Sequence, residues 1–162
     1  SDVSESVLPF LLADSSGVDI SVHVAPDCRA VTDERCLRQI VLNLGSNAVK
    51  YAGRGASVVL GAEVSAAVRA AVEPVDDKGA AMHSLVLTVV DTGAGMSAAQ
   101  VQRLFQPFDR LGQEAGKMPG SGLGLVITRQ LARLLGGEVQ LVSTPGQGTT
   151  ATVCLPTAVD LA

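Results

Sequence analysis

Three short stretches carry residue types whose spacing suits them to holding a phosphorylated ligand. In GSGLGL, residues 120–125, glycines at Gly120, Gly122 and Gly124 lead without a turn into an apolar helix pattern. A helix N-terminus presents unpaired N–H groups and a partial positive charge, so a glycine-rich approach to one is a cradle for phosphate. Two common fingerprints do not match: G-x-G-x-x-G begun at Gly120 or Gly122 reaches Leu125 or Ile127 where the last glycine belongs. Gly112 to Lys117 is one residue short of G-x-x-x-x-G-K-[ST] and is followed by Met118. A flexible glycine loop that merely opens an ordinary helix is the plain alternative.

The second stretch is QIVLNLGSNAVKYA. At 100° per residue Leu37, Ile40, Val41, Leu44, Ala48 and Tyr51 form an apolar stripe, and Asn43, Asn47 and Lys50 gather at its edge. Asparagine is a poor helix-interior residue, so two of them one turn apart need a reason. Amide oxygens can complete the shell of a Mg²⁺ ion that keeps waters and phosphate oxygens, with Lys50 one turn on reaching the same phosphates. Alternatively, the amides hydrogen-bond neighbouring loops. The third stretch, DTGAGM, places Asp91 where an apolar run ends and follows it with Gly93 and Gly95. Such a sequence makes a turn; it also suits a half-buried carboxylate that accepts from a ligand N–H, with glycines letting a ring approach the backbone.

The elements that must position these residues alternate. Val18 to Ala25 reads as a half-buried strand, Asp33 caps a helix running to about Tyr51, and Gly53 and Gly55 stop it. Strands follow at Ser57 to Glu63 and Ser84 to Asp91, with Val64 to His83 as an extended hairpin tip or insertion. A short helix spans Ser97 to Phe105, and Asp109 to Ser121 shows no periodicity. Gly122 to Leu135 is a helix whose apolar spacing is carried by Ile127, Leu131, Leu134 and Leu135, ended by Gly136 and Gly137. Strands at Glu138 to Ser143 and Thr149 to Leu155 flank the turn TPGQG, and Ser6 to Ala13 reads as a linker helix with Pro9 in its first turn. The expected class is α/β, a two-layer sandwich with helices on one face of a mixed sheet.

Composition narrows the function classes. With 47% hydrophobic and 17% charged residues in 162, the chain is too apolar for disorder and long enough for one domain with its own core. No apolar run reaches the ~18 residues of a membrane span, so no direct membrane contact is expected. A net charge of −4 gives no electrostatic reason to bind nucleic acid. Cys28, Cys36 and Cys154 have neither disulfide-framework nor zinc spacing and are read as reduced core thiols of a cytoplasmic protein.

QIVLNLGSNAVKYA, DTGAGM, LFQPFDR, GSGLGL and TPGQGTTATVCLP stand in this order, and over residues 18–156 the chain resembles the catalytic and ATP-binding domain of the sensor histidine kinases. That superfamily is shared with DNA gyrase, the mismatch-repair ATPases and the heat-shock-protein ATPases. The resemblance implies the Bergerat nucleotide-binding fold, ATP and Mg²⁺ as ligands, and domain limits at 18–157 between a linker (1–17) and a tail (158–162). It implies that Asn47 coordinates Mg²⁺ with Asn43 beside it, that Lys50 meets phosphate, and that Asp91 accepts from the adenine amino group while Gly93, Gly95 and Met96 line the base. Gly120, Gly122 and Gly124 form the phosphate loop, Tyr51, Leu123 and Leu125 join the nucleotide-binding set, and Thr149, or adjacent Thr150, supports the adenine end. Asp109 to Ser121 is then a lid hinged at Phe105 and Phe108, with Arg110 and Lys117 as its cations.

Position 43 bears on the reaction. Hydrolytic relatives carry a glutamate there as general base, and an amide cannot take a proton, so Asn43 favours phosphoryl transfer to a histidine over ATP hydrolysis. The acceptor is expected on a separate dimerising helical domain of the same parent kinase, with a response regulator or receiver domain beyond it, because His23 and His83 read as exposed strand histidines. A nucleotide-binding pseudokinase or interaction module is the alternative from another class, and an ATPase of the same superfamily a third.

Overall fold

The computed structural model describes residues 17–26, 28, 30, 32–65, 83–106 and 124–157. Strand β1 (Asp19–Val24) is followed by helix α1 (Glu34–Ala52), strands β2 (Ser57–Ser65) and β3 (His83–Asp91), helices α2 (Ala98–Leu104) and α3 (Gly124–Leu134), and strands β4 (Glu138–Thr144) and β5 (Gly148–Thr157). The strands form one sheet in the order β1-β2-β3-β5-β4. Only the β1–β2 pair is parallel. A parallel pair needs a crossover, and α1 supplies it. The last strand among the described residues, β5, is inserted between β3 and β4.

Local signals account for the helix ends. Asp33 Oδ1 accepts from the N–H groups of Arg35 (2.9 Å) and Cys36 (3.1 Å), and these bonds hold its carboxyl below the usual range. Gly53 ends α1 at φ 86°. Ser97 and Gln100 form a reciprocal capping box at the start of α2. The core lies between the helices and the sheet: Ile40, Leu44 and Ala48 of α1 join Val58, Leu87, Val153 and Leu155 from the strands.

Four details differ from the sequence reading. The buried line of α1 includes Gly45, Val49 and Ala52, while Leu37, Val41 and Tyr51 are only partly covered. In α3 the buried residues are Leu125, Thr128 and Ala132, whereas Leu134 is 77% exposed and Ile127 also faces outward. Leucine occurs on both sides of α3, so hydrophobicity alone could not phase it; the face is set by its contacts with α1, β4 and β5. His23 is exposed as expected, but His83 is half-buried, and the three free cysteines are half-buried rather than central to the core. The segments 6–13, 66–82 and 107–123, which hold the expected linker helix, most of the insertion and most of the lid, lie outside the described residues.

Candidate nucleotide site

The site begins where β3 ends. Register pairs Asp91 with Val58 on one side and Thr149 on the other, placing all three on the helix-facing side of the sheet. Asp91 is only 8% exposed. Its Oδ1 accepts from the Gly93 N–H at 2.9 Å. Burial pushes its carboxyl above the usual carboxylate range, and the backbone N–H groups of Gly93 and Thr149 oppose that shift. Among the described residues no cation faces this buried carboxylate, which is costly to the fold and makes Asp91 a functional candidate.

Asp91 borders a narrow cavity of about 20 Å³ that opens to the surface. Leu44, Asn47, Ala48 and Tyr51 of α1 form one wall, Val89, Thr149, Ala151 and Leu141 of the sheet another, and Met96 and Leu125 complete the lining. The lining is mostly apolar, with a carboxylate on the sheet side and an amide on the helix side. That combination fits a flat heteroaromatic ring that donates one hydrogen bond and carries a polar extension.

Backbone geometry fixes the loop around the ring position. Gly95 has φ 68°, and a side chain there would collide with the Thr144 carbonyl. Gly148 has φ 108°, and a side chain there would strike the Asp91 carbonyl. Ser143 ties these loops together, a role the sequence reading missed. Its hydroxyl accepts from the Met96 N–H (2.7 Å), donates to the Gly148 carbonyl (3.1 Å) and lies 2.7 Å from the Thr149 hydroxyl. The available signal was register: Ser143 sits directly across from Thr149, just before the TPGQG turn.

Of the residues singled out from sequence, the cavity gathers Asn47, Tyr51, Asp91, Met96, Leu125 and Thr149. Thr150 pairs with Val90 and Val142 on the opposite face of the sheet. Gly93 and Gly95 shape the loop without lining the cavity. Lys50 lies on α1 just past Asn47 and does not line it either. Asn43 is engaged elsewhere: its Oδ1 accepts from Gln39 Nε2 (2.7 Å) and its Nδ2 donates to the Gly124 carbonyl (3.3 Å). Phe105 is half-buried, and the Arg129 guanidinium sits 4.8 Å from its ring centroid, joining the C-terminus of α2 to the middle of α3. Phe108, Arg110, Lys117, Gly120, Gly122 and Leu123 lie outside the described residues. No cluster of three His, Cys, Asp or Glu side chains suited to a metal occurs among the described residues, so an ion at this site would depend on amide, water and ligand oxygens.

Residues 32–159 match the family model described as histidine kinase-, DNA gyrase B-, and HSP90-like ATPase. The chain belongs to this family. Among its relatives, the histidine protein kinase DivJ of Caulobacter vibrioides is 36% identical over 145 residues, covering 89% of this chain and 22% of DivJ. The solved structure of the mycobacterial sensor histidine kinase MprB superposes with a TM-score of 0.71 at 25% identity, over 98% of this chain and 94% of that one. Full-length ShkA in complex with AMPPNP gives a TM-score of 0.71 at 28% identity, over 99% of this chain and 29% of ShkA. The chain spans about a fifth of the length of DivJ and of a second Caulobacter vibrioides relative, the non-motile and phage-resistance protein. Membership of this ATPase family accounts for the α/β architecture and for ATP as the ligand class. Among the described residues, no helix is long and apolar enough to cross a membrane.

Proposed function

We propose that this chain is the catalytic unit of a sensor histidine kinase, which binds Mg²⁺-ATP in the cavity and passes the γ-phosphoryl group to a histidine on a separate helical phosphoacceptor domain. The observation that carries this reading is the buried carboxylate of Asp91, which no cation among the described residues pairs, at the sheet side of an apolar slot whose helix side presents Asn47. Asp91 accepts from the adenine amino group, and Met96, Leu125 and Ala151 enclose the ring. Asn47 offers a neutral oxygen to a Mg²⁺ ion whose other ligands are phosphate and water, and Lys50 lies one turn farther along α1 toward the phosphates. Bound Mg²⁺ supplies charge neutralisation on the phosphate oxygens.

The chain provides positioning rather than proton abstraction. Position 43 is an amide already committed to Gln39 and Gly124, so no carboxylate stands there to activate water. Imidazole is itself a nucleophile, and phosphoryl transfer then depends mainly on alignment and electrostatics. His23, exposed on β1, and His83, at the start of β3, both sit in strands rather than on an acceptor helix. The proposed partners are the parent kinase's phosphoacceptor domain and, one step later, a receiver domain.

The test mixes the chain with a matching phosphoacceptor fragment and γ-labelled ATP. Acid-labile, base-stable label on the fragment, with slow hydrolysis when the fragment is omitted, is the expected result. Label on His23 or His83, or fast hydrolysis without an acceptor, overturns the assignment. Tight ATP binding with no transfer to any acceptor supports a nucleotide-sensing module instead.

A further inference from the structure

Asn43 is the point at which α1 reaches the beginning of α3. The Gly124 carbonyl can only accept, so the Asn43 amide must turn its Nδ2 toward it, and its Oδ1 then faces Gln39 Nε2, a donor. The orientation of the amide is therefore fixed by the Gly124 carbonyl, and the exposed Gln39 amide turns its donor to match. The Gly124 carbonyl also accepts from the Thr128 hydroxyl at 2.7 Å. Thr128 is 0% exposed, so water cannot satisfy that hydroxyl, and the carbonyl one turn back does. In a helix beginning at Gly124 the Thr128 N–H points at the same oxygen. One backbone carbonyl thus gathers donors from α1 and from α3 itself. No atom of the described residues lies within 4 Å of where a Cβ on Gly124 would stand. Packing against the described residues does not demand a glycine there, but the close approach of a ligand would.

We infer that Asn43 is a positioning residue. Its amide, together with the Thr128 hydroxyl, grips the Gly124 carbonyl and fixes the first turn of α3 against α1, setting where the phosphates of a bound nucleotide meet the N-terminus of that helix. The inference rests on the nucleotide reading above and assigns Asn43 a task different from holding the metal. It also explains the amide at this position in structural terms: a carboxylate would set an acceptor against the Gly124 carbonyl and release the helix start.

The experiment compares the full chain with Asn43→Ala, Thr128→Val, the double variant and Thr128→Ser. ATP affinity is measured with and without Mg²⁺, adenosine affinity serves as the base-site control, and hydrogen exchange at the Thr128 amide is followed without ligand. Asn43→Ala and Thr128→Val should each weaken ATP binding about 5- to 10-fold, equally with and without Mg²⁺, and leave adenosine binding unchanged. The double variant should lose less than the product of the single losses, because the two donors share one acceptor. Thr128→Ser should restore wild-type affinity, and the Thr128 amide in ligand-free Asn43→Ala should exchange roughly 10-fold faster. A loss in Asn43→Ala confined to Mg²⁺-containing solutions would make Asn43 a metal ligand and overturn the inference, as would multiplicative losses or unchanged exchange. Should the wild type bind no nucleotide, the reading of the site fails together with the phosphate-positioning half of the inference, and the exchange measurement alone then decides the grip on Gly124.

Discussion

Replacing Asp91 with asparagine should separate the protein's affinity from its stability. The Gly93 N–H holds Oδ1 at 2.9 Å, so an asparagine at this position keeps its oxygen toward Gly93 and turns Nδ2 into the cavity. In the proposed complex a donor would then face the adenine amino group, itself a donor, where an acceptor stood before. Losing one charged hydrogen bond costs about 1.5–3 kcal/mol, or roughly 10- to 150-fold in affinity. Stability moves the other way. Burial raises the carboxyl's folded-state pKa above its ordinary value of 3.8, so the stability tied to this group is fully present below pH 3.8 and is lost as pH rises through the folded value. At neutral pH the neutral amide escapes that penalty, and Asp91→Asn should melt at or above the wild-type temperature. Calorimetric titration with ATP and with adenosine, alongside a melting curve at pH 7 and pH 4, checks both halves. Unchanged affinity for adenosine would refute base recognition by Asp91, and a lower melting temperature at pH 7 would refute the claim that its charge opposes folding.

Asn47→Ala should weaken Mg²⁺-dependent ATP binding while adenosine binding holds, since the base site is built by other residues; equal losses for both ligands in the same titrations would count against a metal role. Gly148→Ala should destabilise the domain by more than about 2 kcal/mol by chemical denaturation, because a β-carbon at φ 108° strikes the Asp91 carbonyl, whereas Gly146→Ala, with φ 79° and open space around it, should cost only about 1 kcal/mol. In α3, Leu134→Ala should shift stability by less than about 0.5 kcal/mol, while Ala132→Leu, which forces volume into a fully buried position, should cost about 1–3 kcal/mol in the same unfolding experiment.

What could be read in the sequence depended on how far its cause lay along the chain. Strand and helix limits came from alternation, caps and glycine stops, signals spanning a few residues, and the structure places them within about two positions. Asp91 was visible because a strand-terminal aspartate followed by two glycines is itself a local pattern. The buried face of α3 was not visible, since leucines occur on both sides of the helix and only α1 and the β4–β5 edge select among them. Thr149 could be separated from Thr150 only through register, which pairs one with Asp91 and the other with Val90. Ser143 and the Asn43 contact with Gly124 escaped for the same reason. The second of these joins residues 81 apart, a distance over which no periodicity operates.

The placement of β5 governs when the cavity can come into being. Val89 and Asp91 belong to β3 and Leu141 to β4, yet these strands never pair with each other, because β5 lies between them. A chain emerging from the ribosome has every wall residue on α1, β3 and β4 in hand by Thr144, but no surface on which to align them until residues 148–157 follow. Closure over such sequence separations is slow compared with helix formation. Ligand affinity is therefore acquired in one step, once β5 has been made, and a nascent chain stalled short of β5 cannot capture nucleotide.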